Sequence, residues 1–455
     1  VHGRRMNRRS SSMIAAPAAR RKPRRPLDGA AIIELDRRFI LRPWTSIAEP
    51  VPIVRGRGLY VWDADGRRYM DFASGYFVNV AGHCHPRVMA AARRQLGLVT
   101  QATMRNITPP AALLAEKLVT LGLRRPGKLF YAVGGSEANE WGLKMARCRS
   151  GRPDVLALEN AFHGLTLGTL AACSSAAYRK TAYHPLPGTI HFAPPPYCYR
   201  CRQKPQDCDL DCARKLERVV LDAAASGTPV GSFLFEPVQS VGGIIPPDRW
   251  YDEVTAIAAR HGLLLIADEV QTGLGRTGRL FACEHWGLLP DVLTVAKGIS
   301  GGVGSLGAAM AVDDVIAGFQ GGTIPTGSGN AVSCAAGLAL LEAVEKDDLA
   351  GNAVRMGARL TERVFMLDNR YVGDVRFKGL MGGVELVEDR TTKEPFSKDA
   401  MARIKEEMFR RGVIVTTSGP LGNVVRIQPP LTISAAQVDA FVAKLDEAVY
   451  AARTS

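Results

Sequence analysis

The sequence predicts an α/β protein: a large domain built on a mainly parallel sheet sandwiched by helices, with a smaller α+β domain attached. Three observations predict it. From about residue 125 to 335, short apolar β-rich runs alternate with longer helical patterns, the order that β-α-β units produce. Residues 50–72 alternate apolar and polar side chains around the turn Asp63-Ala64-Asp65-Gly66, which suggests a small antiparallel hairpin. Residues 336–455 mix amphipathic helices with short strands, and 455 residues exceed what one small core can organise.

Taken in chain order, residues 1–27 read as a disordered basic tail and residues 28–75 as the N-terminal part of the small domain. Residues 76–335 form the large domain, and residues 336–455 complete the small one. Within the large domain the clearest strands are 153–158, 230–235, 262–267 and 291–295, each followed by polar or glycine-rich residues. In open parallel sheets the chemistry collects at the carboxyl ends of the strands. Beyond it, the apolar spacing predicts helices at 352–368, 398–411 and 435–452.

Composition narrows the function classes. The net charge of +14 invites a nucleic-acid reading, but nine of those positive charges precede Asp28, the first acidic residue. What remains is too diffuse for a phosphate-tracking stripe, so no nucleic-acid partner is expected. The Arg-rich, Ser-rich, acid-free tail also fits a mitochondrial transit peptide or upstream translation ahead of Met6 or Met13. No apolar run reaches the roughly 18 residues of a membrane-spanning helix, so no membrane partner is expected either. Nine cysteines in 455 residues favour a reducing compartment, and the cytoplasm is the expected location, with the mitochondrial matrix as the alternative if the tail is a transit peptide. Four of them, Cys198, Cys201, Cys208 and Cys212, follow a C-x2-C-x6-C-x3-C spacing that reads as a packed surface insertion or, alternatively, as a zinc site.

The run 263–278 places Asp268 at the end of a buried strand, where a carboxylate is costly unless it faces a cation or a protonated ring. Residues 291–298 end a second apolar strand on Lys297. An acid and an amine at the ends of neighbouring strands suit pyridoxal phosphate chemistry, in which the acid keeps the pyridine nitrogen protonated and the amine forms a Schiff base. A structural ion pair would look the same. GGSEANE (134–140) opens an amphipathic helix, so Gly135 and Ser136 bring backbone N–H groups to a helix N-terminus where a phosphate fits. The alternative is a capping box in which Ser136 and Asn139 only start the helix.

Eight motifs extend this pattern: DFASGYFVNVAGHCHP (71–86), GGSEANE, NAFHG (160–164), FEPVQS (235–240), IADEVQTG (266–273), AKG (296–298), GTIPTGSGN (322–330) and VVRIQPPL (424–431). In this order and spacing the chain, from about residue 40 to 450, resembles the class III aminotransferases, pyridoxal 5′-phosphate enzymes of fold type I. The resemblance implies that Asp268 pairs with the pyridinium nitrogen, that Val270 and Phe162 cover the two ring faces, and that Gln271 bonds the phenolic oxygen. It implies that Gly135 and Ser136 hold the phosphate, that Thr326 reaches the same phosphate from a partner subunit of a homodimer or dimer of dimers, and that His163 belongs to the cofactor site. Arg426 matches the family's carboxylate-binding arginine and Glu236 the glutamate that pairs with it in relatives acting on ω-amino acids. Tyr76 belongs to the substrate side.

The expected activity is transfer of an amino group from an amino acid or amine, possibly an ω-amino compound, to a keto acid such as pyruvate, glyoxylate or 2-oxoglutarate. A lyase acting on amino-alcohol phosphates, or an epimerase, would use the same Lys297 and Asp268. The cysteine-bearing insertion resembles one in the alanine–glyoxylate type 2 branch and its phospho-lyase relatives. The chain departs from the family at Ser305-Leu306-Gly307, where Pro-Leu-Gly is usual, and at Pro325, Gly327 and Ala331 around Thr326.

Overall fold

The computed structural model describes residues 28–41, 51–102, 106–175, 183–203, 207–319, 325–367 and 369–454; the basic tail and residues 322–324 of the GTIPTGSGN motif lie outside them. Sixteen strands are present among these residues. They are β1 (Ile53–Arg57), β2 (Tyr60–Asp63), β3 (Arg68–Asp71), β4 (Gly127–Ala132), β5 (Asp154–Leu158), β6 (Ile190–Ala193), β7 (Val230–Phe235) and β8 (Leu264–Asp268). There follow β9 (Val292–Val295), β10 (Gly307–Val312), β11 (Val372–Lys378), β12 (Met381–Asp389), β13 (Glu394–Pro395), β14 (Val413–Ile414), β15 (Thr416–Ser418) and β16 (Val424–Ile427).

The central sheet runs β4-β10-β9-β8-β7-β5-β6. Pairing is parallel from β9 through β6, while β10 runs antiparallel to both β9 and β4. β5, β7 and β9 are buried along their whole length, which is why they read as uninterrupted apolar runs. β8 begins two residues later than its apolar run suggests. Gly262, at φ +65°, caps the preceding helix Trp250–His261, and Leu263 still donates to that helix at the Ala258 carbonyl.

Helices cover both faces. Helix Gly135–Ser150 lies on β8 and β9, with a Cβ at Gly142 falling 3.3 Å from both Ile266 and Val292. Helix Pro109–Leu123 approaches Phe281 and Met310 at Gly122, and helix Ala331–Lys346 packs against Leu114 at Gly337.

The N-terminal hairpin forms around the expected turn, with β1 adding an extra strand, and β14 joins β3 in parallel. Residues from the two ends of the chain therefore share one sheet, and the Phe72 and Phe441 rings stack at 3.8 Å between centroids. A third sheet runs β11-β12-β16-β15, with β13 paired to β12. The three C-terminal helices are Leu349–Phe365, Lys398–Arg410 and Ala435–Thr454; the second is capped by the Ser397 side chain, which accepts from the Ala400 N–H. Among the described residues no helix is long and apolar enough to cross a membrane.

Candidate active site

Asp268 closes β8, and its buried carboxylate is the hub of the site. Oδ2 lies 2.8 Å from His163 Nδ1 and accepts from Asn139 Nδ2 at 2.7 Å, while Oδ1 accepts from the Val270 N–H at 3.1 Å. Asn139 is itself fixed: the same amide donates to the His163 carbonyl at 2.7 Å, and its Oδ1 accepts from Thr294 on β9 at 2.6 Å. A carboxylate offers about four acceptor positions, so three bonds leave room for one more donor.

Lys297 follows β9, the parallel neighbour of β8, and takes a left-handed backbone at φ +43°. Burial pushes its ammonium below the ordinary lysine range; nearby Asp268 and Glu236 act the other way, and Arg426 adds to the lowering. Four groups named from the sequence thus share one electrostatic environment. Glu236, buried just after β7, accepts from the Phe162 N–H and the Ser240 N–H, each at 3.1 Å. Burial raises its pKa and Asp268 adds to the rise, against the opposing pull of His163.

Helix Gly135–Ser150 begins beside Val270, whose Cγ1 would lie 2.9 Å from a Cβ at position 135. Its N-cap, Gly134, has no side chain to satisfy the first amides, and a Cβ there would meet nothing within 4 Å, so the helix faces open space. Ser136 Oγ accepts from the Leu165 N–H at 3.0 Å. The capping-box alternative is overturned: Ser136 bonds across to the loop after β5, and Asn139 turns inward to Asp268. Gly164 permits this approach, since at φ +144° a Cβ would fall 2.5 Å from Ser136 Oγ.

The opposite wall comes from residues far away in sequence. Gln271 Nε2 donates to Gln428 Oε1 at 2.9 Å, and the Gln428 carbonyl accepts from Ser74 Oγ at 2.8 Å. Ser74, Gly75, Tyr76 and Phe77 form a left-handed turn with φ of +43°, +64°, +65° and +72°. Three of the four carry side chains, and left-handed backbone costs such residues roughly 1–2 kcal/mol each. Asp71 holds the turn by accepting from the Ala73 and Gly75 N–H groups, and its Oδ2 also lies 2.8 Å from His83 Nε2. The turn sets the Phe77 ring 4.2 Å from the Arg426 guanidinium carbon and leaves Tyr76 63% exposed. Arg426, on β16, is only 7% exposed, so its guanidinium lies inside the protein and not on its surface.

Thr326 is exposed, and its carbonyl accepts from Gln101 Nε2 at 2.9 Å. The four clustered cysteines line one cavity of about 650 Å³ beside Glu159 and Asn160. All nine cysteines are free thiols, and among the described residues no group of three or more His, Cys, Asp or Glu is arranged to hold a metal ion.

The donor set fits pyridoxal phosphate. An uncapped helix N-terminus suits the phosphate, the remaining acceptor position on Asp268 suits a protonated ring nitrogen, and a buried amine suits the aldehyde. His163 Nε2 is buried without a hydrogen-bond partner among the described residues, a polar atom whose burial is costly in a closed apolar core. Sequence reasoning missed Asn139 as an Asp268 ligand and missed Thr294, Gln428, Ser74 and Phe77 altogether. Asn139, Gln428, Ser74 and Phe77 are signalled only by lying inside the quoted motifs, and Thr294 only by lying in the run 291–298 that ends in Lys297-Gly298.

A family model described as aminotransferase class-III matches residues 44–449. An adenosylmethionine-8-amino-7-oxononanoate aminotransferase from Geobacter sulfurreducens is 35% identical over 451 residues, covering 93% of this chain and 98% of that one. A leucine/methionine racemase from Thermococcus litoralis is 34% identical over 409 residues, covering 88% and 90%. Among solved structures, an amine transaminase from an uncultivated Pseudomonas species in a PLP-bound form superposes with a TM-score of 0.83 at 32% identity, covering 91% and 98%.

Proposed function

The chain belongs to the class III aminotransferases and is a pyridoxal-phosphate-dependent enzyme of fold type I, and from that premise we propose that it moves an amino group from an amino acid or amine to a small keto acid such as pyruvate, glyoxylate or 2-oxoglutarate. The observation that carries the substrate half of this reading is the buried Arg426 sharing the field of Lys297, Asp268 and Glu236. A planar guanidinium suits bidentate binding of a carboxylate.

When bound, pyridoxal phosphate supplies an aldehyde that exchanges amines and a protonated ring that draws electrons from the substrate carbon. Gly135 and Ser136 hold the phosphate through main chain and hydroxyl. Asp268, oriented by His163 and Asn139, keeps the ring nitrogen protonated. Val270 and Phe162 confine the ring, and Gln271, braced by Gln428, bonds its phenolic oxygen. Lys297 Nζ would take the proton from the substrate carbon and return it to the carbon on the far side of the bridging nitrogen, a task helped by burial that favours the neutral amine. Glu236 masks Arg426 when no carboxylate is present, and Tyr76 lines the substrate entrance.

Thr326, exposed on this chain, serves the phosphate of a second copy, so the active form is a homodimer or a dimer of dimers. The large domain spans 76–335, and the small domain combines 28–75 with 336–455. The enzyme works in a reducing compartment, the cytoplasm.

The likeness to a leucine/methionine racemase favours a second reading, epimerisation of an amino acid on the same Lys297 and Asp268. A donor screen separates the two. Transamination predicts turnover that depends on one of the three keto acids; loss of amino-acid handedness with no keto acid present would establish epimerisation instead.

A further inference from the structure

Arg276 is among the largest fully buried side chains of the protein, and among the described residues no carboxylate pairs with it. Among the described residues its guanidinium donates only to carbonyl oxygens: Nη1 donates to the Leu380 carbonyl at 3.3 Å and, more closely, to the Pro429 carbonyl. Burial alone pulls its pKa down to about 9. A guanidinium buried without a counter-ion is costly, and an apolar side chain of similar length would fill the same space without that cost. Packing therefore does not account for an arginine here.

What it grips does. Leu380 immediately precedes β12 and Pro429 lies two residues past β16, and these two strands pair with Gly383 opposite Arg426. Pro429 lies three residues past Arg426, and Leu380 lies three residues before Gly383, the cross-strand partner of Arg426. The main chain of Arg276 binds the same place, since its carbonyl accepts from the Leu380 N–H at 3.0 Å. Arg276 itself belongs to the loop that leaves Asp268 and carries Gln271, whose side chain holds Gln428, the residue between Arg426's strand and Pro429.

We propose that Arg276 is a positioning residue for keto-acid binding: its buried guanidinium ties the ends of the two strands that carry Arg426 to the loop that follows Asp268, and so fixes where the substrate carboxylate is held. This rests on the reading of Arg426 as the carboxylate-binding residue. Small misplacements of a binding group weaken recognition strongly.

The test compares Arg276→Met, Arg276→Lys and Arg426→Ala as holoenzymes, measuring KM for the preferred keto acid and kcat at its saturation. Arg276→Met is expected to raise that KM by on the order of ten- to a hundredfold while kcat at saturation changes far less. Arg276→Lys, which keeps a donor for the two carbonyls, should recover part of the loss. A purely structural role would lower the yield of active enzyme or kcat and leave KM in place, and that result overturns the inference. If Arg426→Ala itself leaves KM unchanged, the carboxylate reading is what fails. If Arg426→Ala raises KM and Arg276→Met does not, the inference about Arg276 alone is overturned. Should Arg276→Met give no soluble holoenzyme, Arg276→Lys decides, and a KM equal to wild type rejects the role.

Discussion

Asn139 donates one side-chain amide to two acceptors at 2.7 Å each, Asp268 Oδ2 and the His163 carbonyl, and so locks the carboxylate to the loop that carries the Phe162 ring. Thr294 completes the lock from β9, three residues before Lys297. Asp268, the loop that carries Phe162 and the strand that leads to Lys297 are thereby held to one reference point.

Asn139→Ala is expected to lower kcat by about 10- to 100-fold, since hydrogen bonds to charged groups contribute roughly 1.5–3 kcal/mol. Asn139→Asp should do worse, because it sets a second carboxylate against Asp268. Steady-state kinetics of the two variants check this, and an Asn139→Asp enzyme as active as wild type contradicts the lock.

Asp268→Asn should keep the cofactor bound but slow turnover by about 10³-fold or more, roughly 4 kcal/mol of transition-state stabilisation, because an amide cannot hold the ring nitrogen protonated. Cofactor content and kcat, measured on the same preparation, separate the two effects. Near-normal turnover refutes the pairing.

A methyl at position 135 would fall 2.9 Å from Val270 Cγ1, and Val270 is next but one to Asp268. Gly135→Ala is therefore expected to weaken pyridoxal phosphate binding by about tenfold, or about 1.4 kcal/mol. Adding Val270→Ala removes the clashing methyl groups and should restore much of the affinity, a coupling expected only of side chains in contact. Equilibrium dialysis reads both, and a double variant no better than Gly135→Ala dissociates the two residues.

Much of this was legible in the sequence because burial on both faces leaves parallel strands uniformly apolar: β5, β7 and β9 stand out, and their ends lead directly to Lys297 and, through β8, to Asp268. β10 was not legible. Its Gly-Ala-Ala-Met-Ala-Val sequence carries no period of its own, and its antiparallel place is set by β4 and β9. Asn139 reads as a cap because its offset from the helix start is right, whereas its partner lies 129 residues away. Phe77 and Arg426 meet only because β16 and the left-handed turn converge, and spacing along the chain does not report that. Arg276 looks like any polar loop residue until its carbonyl partners are seen.

The lowered pKa of Lys297 has a direct consequence for cofactor capture, which needs the neutral amine. Burial favours that form, so the rate at which the cofactor-free enzyme captures pyridoxal phosphate should rise with pH through a midpoint below the ordinary lysine value of 10.5. Stopped-flow absorbance across pH measures it. A midpoint at or above 10.5 contradicts the burial argument, and Lys297→Ala should show no capture and no turnover.

The central claim is that the site exchanges an amino group in two separable halves. Wild-type enzyme given amino donor alone should release one equivalent of carbonyl product per site, convert its cofactor to the aminated form and stop, and added keto acid should return the original spectrum. Many equivalents of product released from donor with no acceptor present, or donor converted to its mirror image under the same conditions, would contradict it.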